Sequence, residues 1–152
     1  MRGSGRVIWL LRGKVAMILL DTSALIEFLN HTGSACDRSI EALVQSNADL
    51  AITEIILTEV LQGIRIEKDY REIRTCLLTF PFLSLKSSQS YIHAADMYRK
   101  CRSKGLTVRS TIDLLIAQVA IEHGAALLHN DRDFDALASV SSLNLFDLHT
   151  YT

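Results

Sequence analysis

The chain has 152 residues, of which 49% are hydrophobic and only one is a proline, so its composition is that of a folded domain rather than a disordered chain. This length suits one domain with its own hydrophobic core. The formal net charge of −1 gives no overall basic field, so a nucleic-acid partner would need a local basic patch. Three cysteines form no even set and no CxxC pair, which argues against a disulfide framework or structural zinc and favours a reducing, cytoplasmic setting.

The first 16 residues, MRGSGRVIWLLRGKVA, differ from the rest of the chain. The apolar stretch VIWLL is too short for the core of a signal peptide, and Arg12 and Lys14 follow it. No apolar run reaches the ~18 residues that a membrane span needs. Because Met17 opens a clean strand pattern, we expect residues 1–16 to be an N-terminal extension, upstream of the natural start or non-native, and residues 17–152 to form the domain. A native arm that packs against the domain is the alternative.

From Met17 onward, short apolar runs alternate with apolar residues at helical spacing. The apolar runs predict strands at 17–20, 49–52, 82–85, 125–128 and 144–148. The helical patterns predict helices at about 23–30, 36–46, 54–63, 67–79, 88–103 and 111–123. Such alternation is typical of a three-layer α/β/α fold, and we expect a central parallel sheet of four to five strands flanked by helices.

The stretch LLHNDRDFDA at 127–136 contains an apolar run that ends in three aspartates, at positions 131, 133 and 135. Crowded carboxylates raise one another's pKa unless a cation joins them. Asp21 also follows a predicted strand directly. Because ligands bind outside the carboxyl ends of parallel strands, we expect Asp21 and Asp131 to lie at the same edge of the sheet.

Two further acids lie on predicted helices. Glu59 lies on or beside an apolar stripe, where a charge costs free energy unless it is paired or coordinated, although a solvated margin of the stripe would also accommodate it. Asp113 follows Ser110 by three positions, which is a capping-box pattern. Taken alone, capping explains Asp113 best, but the helix that it opens is apolar on nearly every side and should be buried. Glu54 is interpreted as an ordinary acid that compensates a helix dipole.

Simpler roles also exist for the other polar residues of these segments. NDRD is typical turn chemistry, and Asp133 could N-cap a short helix through FDALA. Ser23, two residues after Asp21, could be an N-cap, could hold a metal-bound water or could orient Asp21. Turn and cap chemistry explains one or two of the aspartates, but it does not explain why Asp21, Glu59 and Asp113 also fall at ends of strands and helices.

The types of residue present favour one kind of metal centre. Four carboxylates without a cysteine pair or an HxxH motif favour Mg²⁺ or Mn²⁺ over Zn²⁺. The five histidines are scattered, and His129 at the end of a predicted strand is more often structural in such a position. No Ser-His-Asp or Cys-His set has supporting context, and the sequence has neither a GxGxxG motif nor a P-loop.

A local basic stretch precedes Asp113. Between positions 99 and 109 there are five cations and no acid: Arg99, Lys100, Arg102, Lys104 and Arg109. A solvated helix end would also have this composition. Cations beside an acidic metal centre suit a polyanionic substrate, because phosphates bind the cations while the metal takes the scissile group. We therefore assign Arg99, Arg102, Lys104 and Arg109 to substrate binding.

Four segments together resemble the PIN-domain ribonucleases, and more narrowly the VapC toxins of bacterial VapBC toxin–antitoxin pairs. These segments are LLDTSALIEFL (19–29), LTEVLQG (57–63), VRSTIDLLIAQVA (108–120) and LLHNDRDFDAL (127–137). Each is weak alone, but their order and spacing are fairly specific, and the resemblance spans about 17–148. It maps the family's metal-binding acids onto Asp21, Glu59, Asp113 and Asp131, with Asp133 as a supporting or alternative ligand. The extension before Met17 departs from the family pattern.

The resemblance implies a PIN-like fold and a Mg²⁺- or Mn²⁺-dependent endoribonuclease. One or two ions would activate a water held by the acids and clamp the phosphodiester, which leaves no need for a nucleophilic side chain. The resemblance also implies a VapB-like antitoxin that covers the acidic cleft, and a homodimer. Amphipathic helices at 54–64 and 88–103 support these partners only weakly.

Other classes of protein also place acids at strand ends. A response-regulator receiver would need paired acids at the first strand and an aspartate after the third, and no aspartate follows FLSL (82–85). A haloacid-dehalogenase-like phosphatase would need DxD where this chain has DTS (21–23). A catalytically silent PIN-like module that binds RNA or protein is a further alternative, which only an activity assay separates from the enzyme.

Overall fold

One parallel sheet organises the part of the chain that the computed structural model describes, residues 17–151. The predictions for residues 1–16 lie outside this range. The strands are β1 (Ile18–Leu20), β2 (Leu50–Ala51), β3 (Ala126–Leu128) and β4 (Asn144–Leu145), in the order β2-β1-β3-β4. All pairs are parallel, and Ile18 of β1 lies opposite both Leu50 and Ala126. The predicted parallel sheet of four to five strands is confirmed with four.

The strand predicted at 82–85 does not form, although one residue of this segment pairs with the sheet. Phe82 forms an isolated parallel bridge with Ile52, at the outer side of β2. Ile52 donates its N–H to Pro81 O (3.1 Å) and accepts from Leu83 N–H (2.9 Å). The pairing ends there because the chain beyond β2 enters a helix at Glu54 and offers no further extended backbone.

Helices occupy most of the remaining sequence, and the six predicted ones are confirmed to within two residues at either end. The α-helices are α1 (Thr22–Leu29), α2 (Ala35–Gln45), α3 (Glu54–Gln62), α4 (Glu67–Leu77), α5 (Ser88–Ser103), α6 (Thr111–Glu122) and α7 (Arg132–Val140). A short 3-10 helix follows at Leu148–Tyr151. Among the described residues, no helix is both long and apolar enough to cross a membrane.

The core lies between two groups of helices and the sheet. Helix α1 contacts α2 and α3, and α3 contacts α4, while α5, α6 and α7 form a second group. The apolar character of α6 is explained by its position, because it contributes Leu114, Ile116 and Ala117 to the core. Gly124 adopts a left-handed φ of +60° after α6, which turns the chain directly into β3. The carboxyl ends of β1 and β3 therefore meet at one edge of the sheet.

Candidate active site

Asp21 lies between the carboxyl ends of the two central strands. It follows β1 directly, and its N–H donates to Leu128 O at the end of β3 (3.0 Å). Its side chain N-caps α1, with Oδ2 accepting from Ser23 N–H at 2.9 Å. The residue is only 4% exposed, and burial raises the pKa of its carboxyl group although the hydrogen bonds from Ser23 oppose that shift.

Ser23 links this acid to the loop after β3. Its hydroxyl donates to Asp21 Oδ2 and accepts from Asn130 N–H (2.9 Å). Asp21, not Ser23, is the N-cap of α1. Of the three roles open from the sequence, the contacts of Ser23 are those of a residue that orients Asp21.

Glu59 approaches from α3, on the side of α1. Its neighbours Ile56 and Val60 are buried, while Glu59 itself is half-buried beside them. Glu59 Oε1 accepts a hydrogen bond from Thr22 Oγ1 at 2.9 Å. Burial, and then the charge of Asp21, raise the pKa of Glu59, whereas the Thr22 bond lowers it. Sequence reasoning missed Thr22, whose only signal was its place between Asp21 and Ser23.

Asp113 occupies the third position of α6 without acting as a cap. Ser110 is the N-cap by position, but its side chain makes no capping hydrogen bond. Within residues 17–151, the Asp113 carboxylate has no hydrogen-bond partner. The capping-box explanation of this acid is therefore wrong in the folded chain.

The pKa of Asp113 is raised by its surroundings. Burial is the largest cause that raises it, to about 7. The further causes are the charges of like sign on Asp21, Asp131, Asp133 and Glu59. The charges of the other four acids assigned to a metal site from the sequence therefore act on Asp113.

Asp131 and Asp133 come from the turn that starts α7. The expectation that Asp133 would N-cap this helix is wrong: Asp131 is the N-cap, and its Oδ1 accepts from Asp133 N–H (3.0 Å). Because the helix begins at Arg132, Asp133 falls inside its first turn. Asp133 is 6% exposed and accepts a hydrogen bond from Arg109 N–H (3.0 Å).

The predicted cationic residues separate into two groups. Arg109 contacts the acids, with its guanidinium 3.8 Å from Asp131 Oδ1 and 3.6 Å from Asp133 Oδ1. Arg99, Arg102 and Lys104 lie at the carboxyl end of α5, and Arg99 pairs with Asp96 of its own helix. Arg102 lies over the ring of Tyr98, 5.7 Å from its centroid. Of the four predicted substrate-binding cations, the structure therefore brings Arg109 directly to the acidic cluster.

His129 and Asp135 contact each other and the start of α7, outside the set of acids assigned to the metal. His129 Nδ1 accepts from Asp131 N–H (3.1 Å), and its ring packs against Phe134 at 5.2 Å between centroids. Asp135 is largely exposed and lies 3.8 Å from His129 Nε2. Glu54 is exposed in the first turn of α3, as expected for an acid that compensates a helix dipole.

The donor set fits a divalent cation. Its side chains offer carboxylate oxygens, which Mg²⁺ and Mn²⁺ bind. In the described part of the chain, no three Asp, Glu, His or Cys side chains lie close enough together to hold a metal ion as they stand. The raised pKa of Asp113 is compatible with this, because charges act over longer distances than the ~2.0–2.6 Å of metal–oxygen bonds. The like charges that raise the pKa of Asp113 would be offset by a bound cation.

Comparisons with known proteins give a consistent result. A PIN domain family model matches residues 18–140. Ribonuclease VapC11 of Mycobacterium tuberculosis is 37% identical over 128 residues, which cover 84% of this chain and 96% of VapC11. Ribonuclease VapC51 of the same species is 32% identical over 123 residues, or 81% of this chain and 86% of VapC51.

Solved structures share the fold. The DNA-bound VapBC structure from Salmonella typhimurium has a chain with a TM-score of 0.70 at 19% identity, covering 88% of this chain and 99% of that one. VapBC-5 from Mycobacterium tuberculosis gives a TM-score of 0.60 at 26% identity, covering 86% of this chain and 98% of its own. With the family model and the identities to the VapC proteins, these matches lead to one conclusion: the chain belongs to the PIN-domain family, in its VapC group.

Proposed function

We propose that this protein is a Mg²⁺- or Mn²⁺-dependent endoribonuclease that acts as the toxin of a toxin–antitoxin pair. The observation that carries the proposal is the half-buried carboxylate of Asp113, which has no hydrogen-bond partner among the described residues. Burial and the charges of four other acids raise its pKa to about 7. A cluster of this kind is unfavourable in a metal-free protein, and such perturbed acids are enriched at functional sites. The VapC relatives are named ribonucleases, which supports the same activity here.

Asp21, Glu59, Asp113 and Asp131 would hold the cation, with Asp133 as a supporting ligand. The cation supplies positive charge to the phosphodiester and lowers the pKa of a water. Ser23 fixes the direction of Asp21, and Thr22 fixes that of Glu59. These hydrogen bonds hold two acids in place before any ligand arrives, which is the requirement for a preorganised centre.

The cationic residues would bind the RNA backbone. Arg109 holds its guanidinium beside Asp131 and Asp133, yet its side chain is 72% exposed. It can therefore contact a phosphate of the substrate without leaving the acids. Arg99, Arg102 and Lys104 would extend this contact along the carboxyl end of α5 to neighbouring phosphates.

A protein partner is part of the proposal. An apolar groove of about 190 Å³ lies between α1, α3 and α4, and Glu59 lines it together with Ile26, Val60 and Ile73. Ile26 is 44% exposed, which is high for a large apolar side chain in that position. A VapB-like antitoxin that placed an apolar segment here would reach the acids directly. The solved structures that share the fold include VapBC complexes, which supports such a partner.

A homodimer also belongs to the proposal. Tyr91, Ile92 and Tyr98 are 55%, 52% and 39% exposed on α5, which is unusual for side chains of this size. Association through this face would cover them. The cytoplasm, where RNA and antitoxin are both present, is the proposed location.

The test is a cleavage assay with purified protein and total RNA. Cleavage should require added Mg²⁺ or Mn²⁺, should stop in EDTA and should resume when Mn²⁺ is restored in excess. Asp21→Asn should be inactive, which excludes a contaminating nuclease. Undiminished cleavage in EDTA would contradict the metal-dependent mechanism, and no cleavage by the intact folded chain would favour the silent binding module.

A further inference from the structure

A cavity of about 430 Å³ adjoins the acidic cluster on the side of β4. Its walls are the segment after β3 and the segment that follows β4: residues 129–132, Asp135 and residues 145–149. Asp131 belongs both to this cavity and to the acidic cluster. The size suits a small planar ligand or one unit of a polymer. An occupant would lie directly beside the bond that the acids are proposed to cleave.

The lining combines apolar side chains with hydrogen-bond acceptors. Leu145, Phe146 and Leu148 provide the apolar and aromatic surface. Asp135 and Asp147 provide carboxylates, which accept hydrogen bonds but donate none when ionised. Asp147 Oδ1 accepts from His149 N–H at 2.9 Å, so the direction of that carboxylate is fixed by its own turn.

The charges of the lining disfavour a phosphate as the occupant. The lining contains three aspartates, at 131, 135 and 147, against one arginine, Arg132, and two histidines. A phosphate would be repelled by the acids, whereas an aromatic ring with N–H groups at its edge would be attracted. Unpaired RNA supplies such rings, since proteins read single-stranded RNA by stacking its bases and bonding their edges.

We propose that this cavity binds a base beside the scissile phosphate and selects guanine, with Asp147 and Asp135 as the specificity-determining residues; this rests on the proposed RNA cleavage. A carboxylate can accept two parallel hydrogen bonds. Guanine presents two adjacent donors on its pairing edge, N1–H and the N2 amine. Adenine and cytosine place a ring-nitrogen acceptor beside their amine, and uracil has a single donor between two acceptors. Those acceptors would face a carboxylate unfavourably.

The first experiment maps cleavage sites. The full chain in Mn²⁺ is incubated with a pool of unstructured RNAs of random sequence, and the new ends are sequenced. Guanine should be enriched at one fixed distance from the cut. Asp147→Asn with Asp135→Asn should reduce the preference for guanine about tenfold or more, and should raise the share of adenine, whose edge an amide matches. Asp49→Asn, the same change just before β2 and outside this cavity, should leave the profile unchanged.

The second experiment does not depend on activity. GMP, AMP, CMP and UMP carry the same phosphate, so differences in binding report the base. GMP should shift the backbone amide NMR signals of residues 145–149 more than the other three, and the double variant should remove that difference.

The outcomes separate this inference from the proposed function. RNA cleavage without guanine enrichment, or with enrichment that survives in the double variant, overturns the guanine site and leaves the nuclease intact. Selective binding of GMP by a chain that cleaves no RNA supports the site and contradicts the nuclease. A double variant that keeps the cleavage profile but escapes inhibition by a co-purified antitoxin would assign the cavity to the protein partner and overturn the guanine site.

Discussion

Asp113 experiences two opposing electrostatic effects. It lies in the first turn of α6, where the helix dipole favours a negative charge by about 0.3–1 kcal/mol, which is less than one pKa unit. Burial and four neighbouring acids nevertheless raise its pKa from 3.8 to about 7. The unfavourable effects therefore exceed the dipole several-fold. An acid in such surroundings lowers the stability of the metal-free protein, and the proposed cation would offset that cost.

Asp113→Asn should remove nearly all cleavage while leaving the metal-free protein as stable as before, or more stable. The amide is a poor ligand for Mg²⁺ and carries no charge to repel the other acids. Thermal melts in EDTA and cleavage rates in Mn²⁺ measure the two effects.

Asp69→Asn is the matched control for this variant. Asp69 occupies the same third position in α4, outside the acidic cluster, so it tests the general cost of removing an acid from a helix start. Its activity should stay at the wild-type level. An Asp113→Asn enzyme that retained full activity would contradict the assignment of Asp113 to the metal site.

The metal-free protein should lose stability as the pH rises towards 7. The folded-state pKa of Asp113 is raised above its unfolded value, so the folded chain binds this proton more tightly. The resulting stabilisation is fully present below pH 3.8 and is lost as the pH rises through about 7. Melting temperatures in EDTA between pH 5 and 8 should fall with pH, with a shallower slope in Asp113→Asn. Excess Mg²⁺ should weaken this fall of melting temperature with pH, because it would bind the ionised acids. Equal slopes for the wild-type protein and Asp113→Asn would contradict the raised pKa.

Ser23→Ala should reduce metal affinity and cleavage by roughly 10- to 100-fold, because it removes the hydroxyl between Asp21 and Asn130 N–H. Calorimetric titration with Mn²⁺ gives the affinity without relying on activity. Ser34→Ala is the control: it removes a comparable hydrogen bond at the start of α2, about 1 kcal/mol, away from the site. If both variants lose stability equally and neither loses Mn²⁺ affinity, Ser23 is only a structural residue.

At the level of elements, α5 combines two kinds of surface. Its carboxyl end carries Lys100 and Arg102 in the last turn, followed by Lys104 at the C-cap, where cations also compensate the helix dipole. The stacking of Arg102 on Tyr98 holds one of these charges against the helix. Under the proposed function, this helix end would bind the RNA backbone by charge, without contacts that read bases.

Reversing Arg102 and Lys104 to Glu should weaken RNA binding and flatten its dependence on salt. The slope of log K against log salt should fall by about 0.7 for each phosphate that the variant no longer neutralises. Binding should be measured with Asp21→Asn as the background, so that the RNA stays intact. Lys68→Glu with Arg71→Glu on α4 gives the same change in net charge elsewhere, and its salt slope should stay near that of the background. Identical salt slopes for the two double variants would show that the α5 cations form an ordinary solvated helix end and do not bind RNA.

At the level of the whole molecule, the acidic edge is open to partners from two sides. The apolar groove that contains Glu59 lies on the side of α1 and α3, and the cavity beside Asp131 lies on the side of β4. The groups that would hold the metal lie between these two concave surfaces. A partner in the groove could therefore block the acids without occupying the cavity that is proposed to bind a base.

Expression of the chain alone should stop bacterial growth, and co-expression with an antitoxin encoded by the adjacent small gene should restore it. Asp21→Asn should be harmless at the same expression level, which separates RNA cleavage from a general burden of overproduction. Ile26→Glu should stay toxic in the presence of the antitoxin, because a charge in the groove opposes an apolar partner. Harmless expression of the folded wild-type chain would contradict the toxin assignment.

The sequence alone determined the type of fold and indicated the acids that are proposed to hold a metal. Uniformly apolar runs such as ILL at 18–20 predict buried parallel strands, because both faces of such a sheet are covered by helices. The apolar periodicity placed six helices to within two residues. Asp21 and Asp131 could be assigned to one edge because every strand of a parallel sheet ends on the same side.

Only the tertiary structure decided how these residues are used. Ser110 and Asp113 form a capping-box pattern in sequence, but the cap is not formed, and the charges of acids from distant segments raise the pKa of Asp113 instead. Residues 82–85 pair through a single bridge because the partner strand ends early. Arg109 contacts Asp131 and Asp133 across 22 and 24 positions of the chain, a pairing that no local pattern encodes. Local chemistry fixes the helices and most of the strands, whereas burial and remote residues decide which caps form, which acid has a raised pKa and which cation lies beside it.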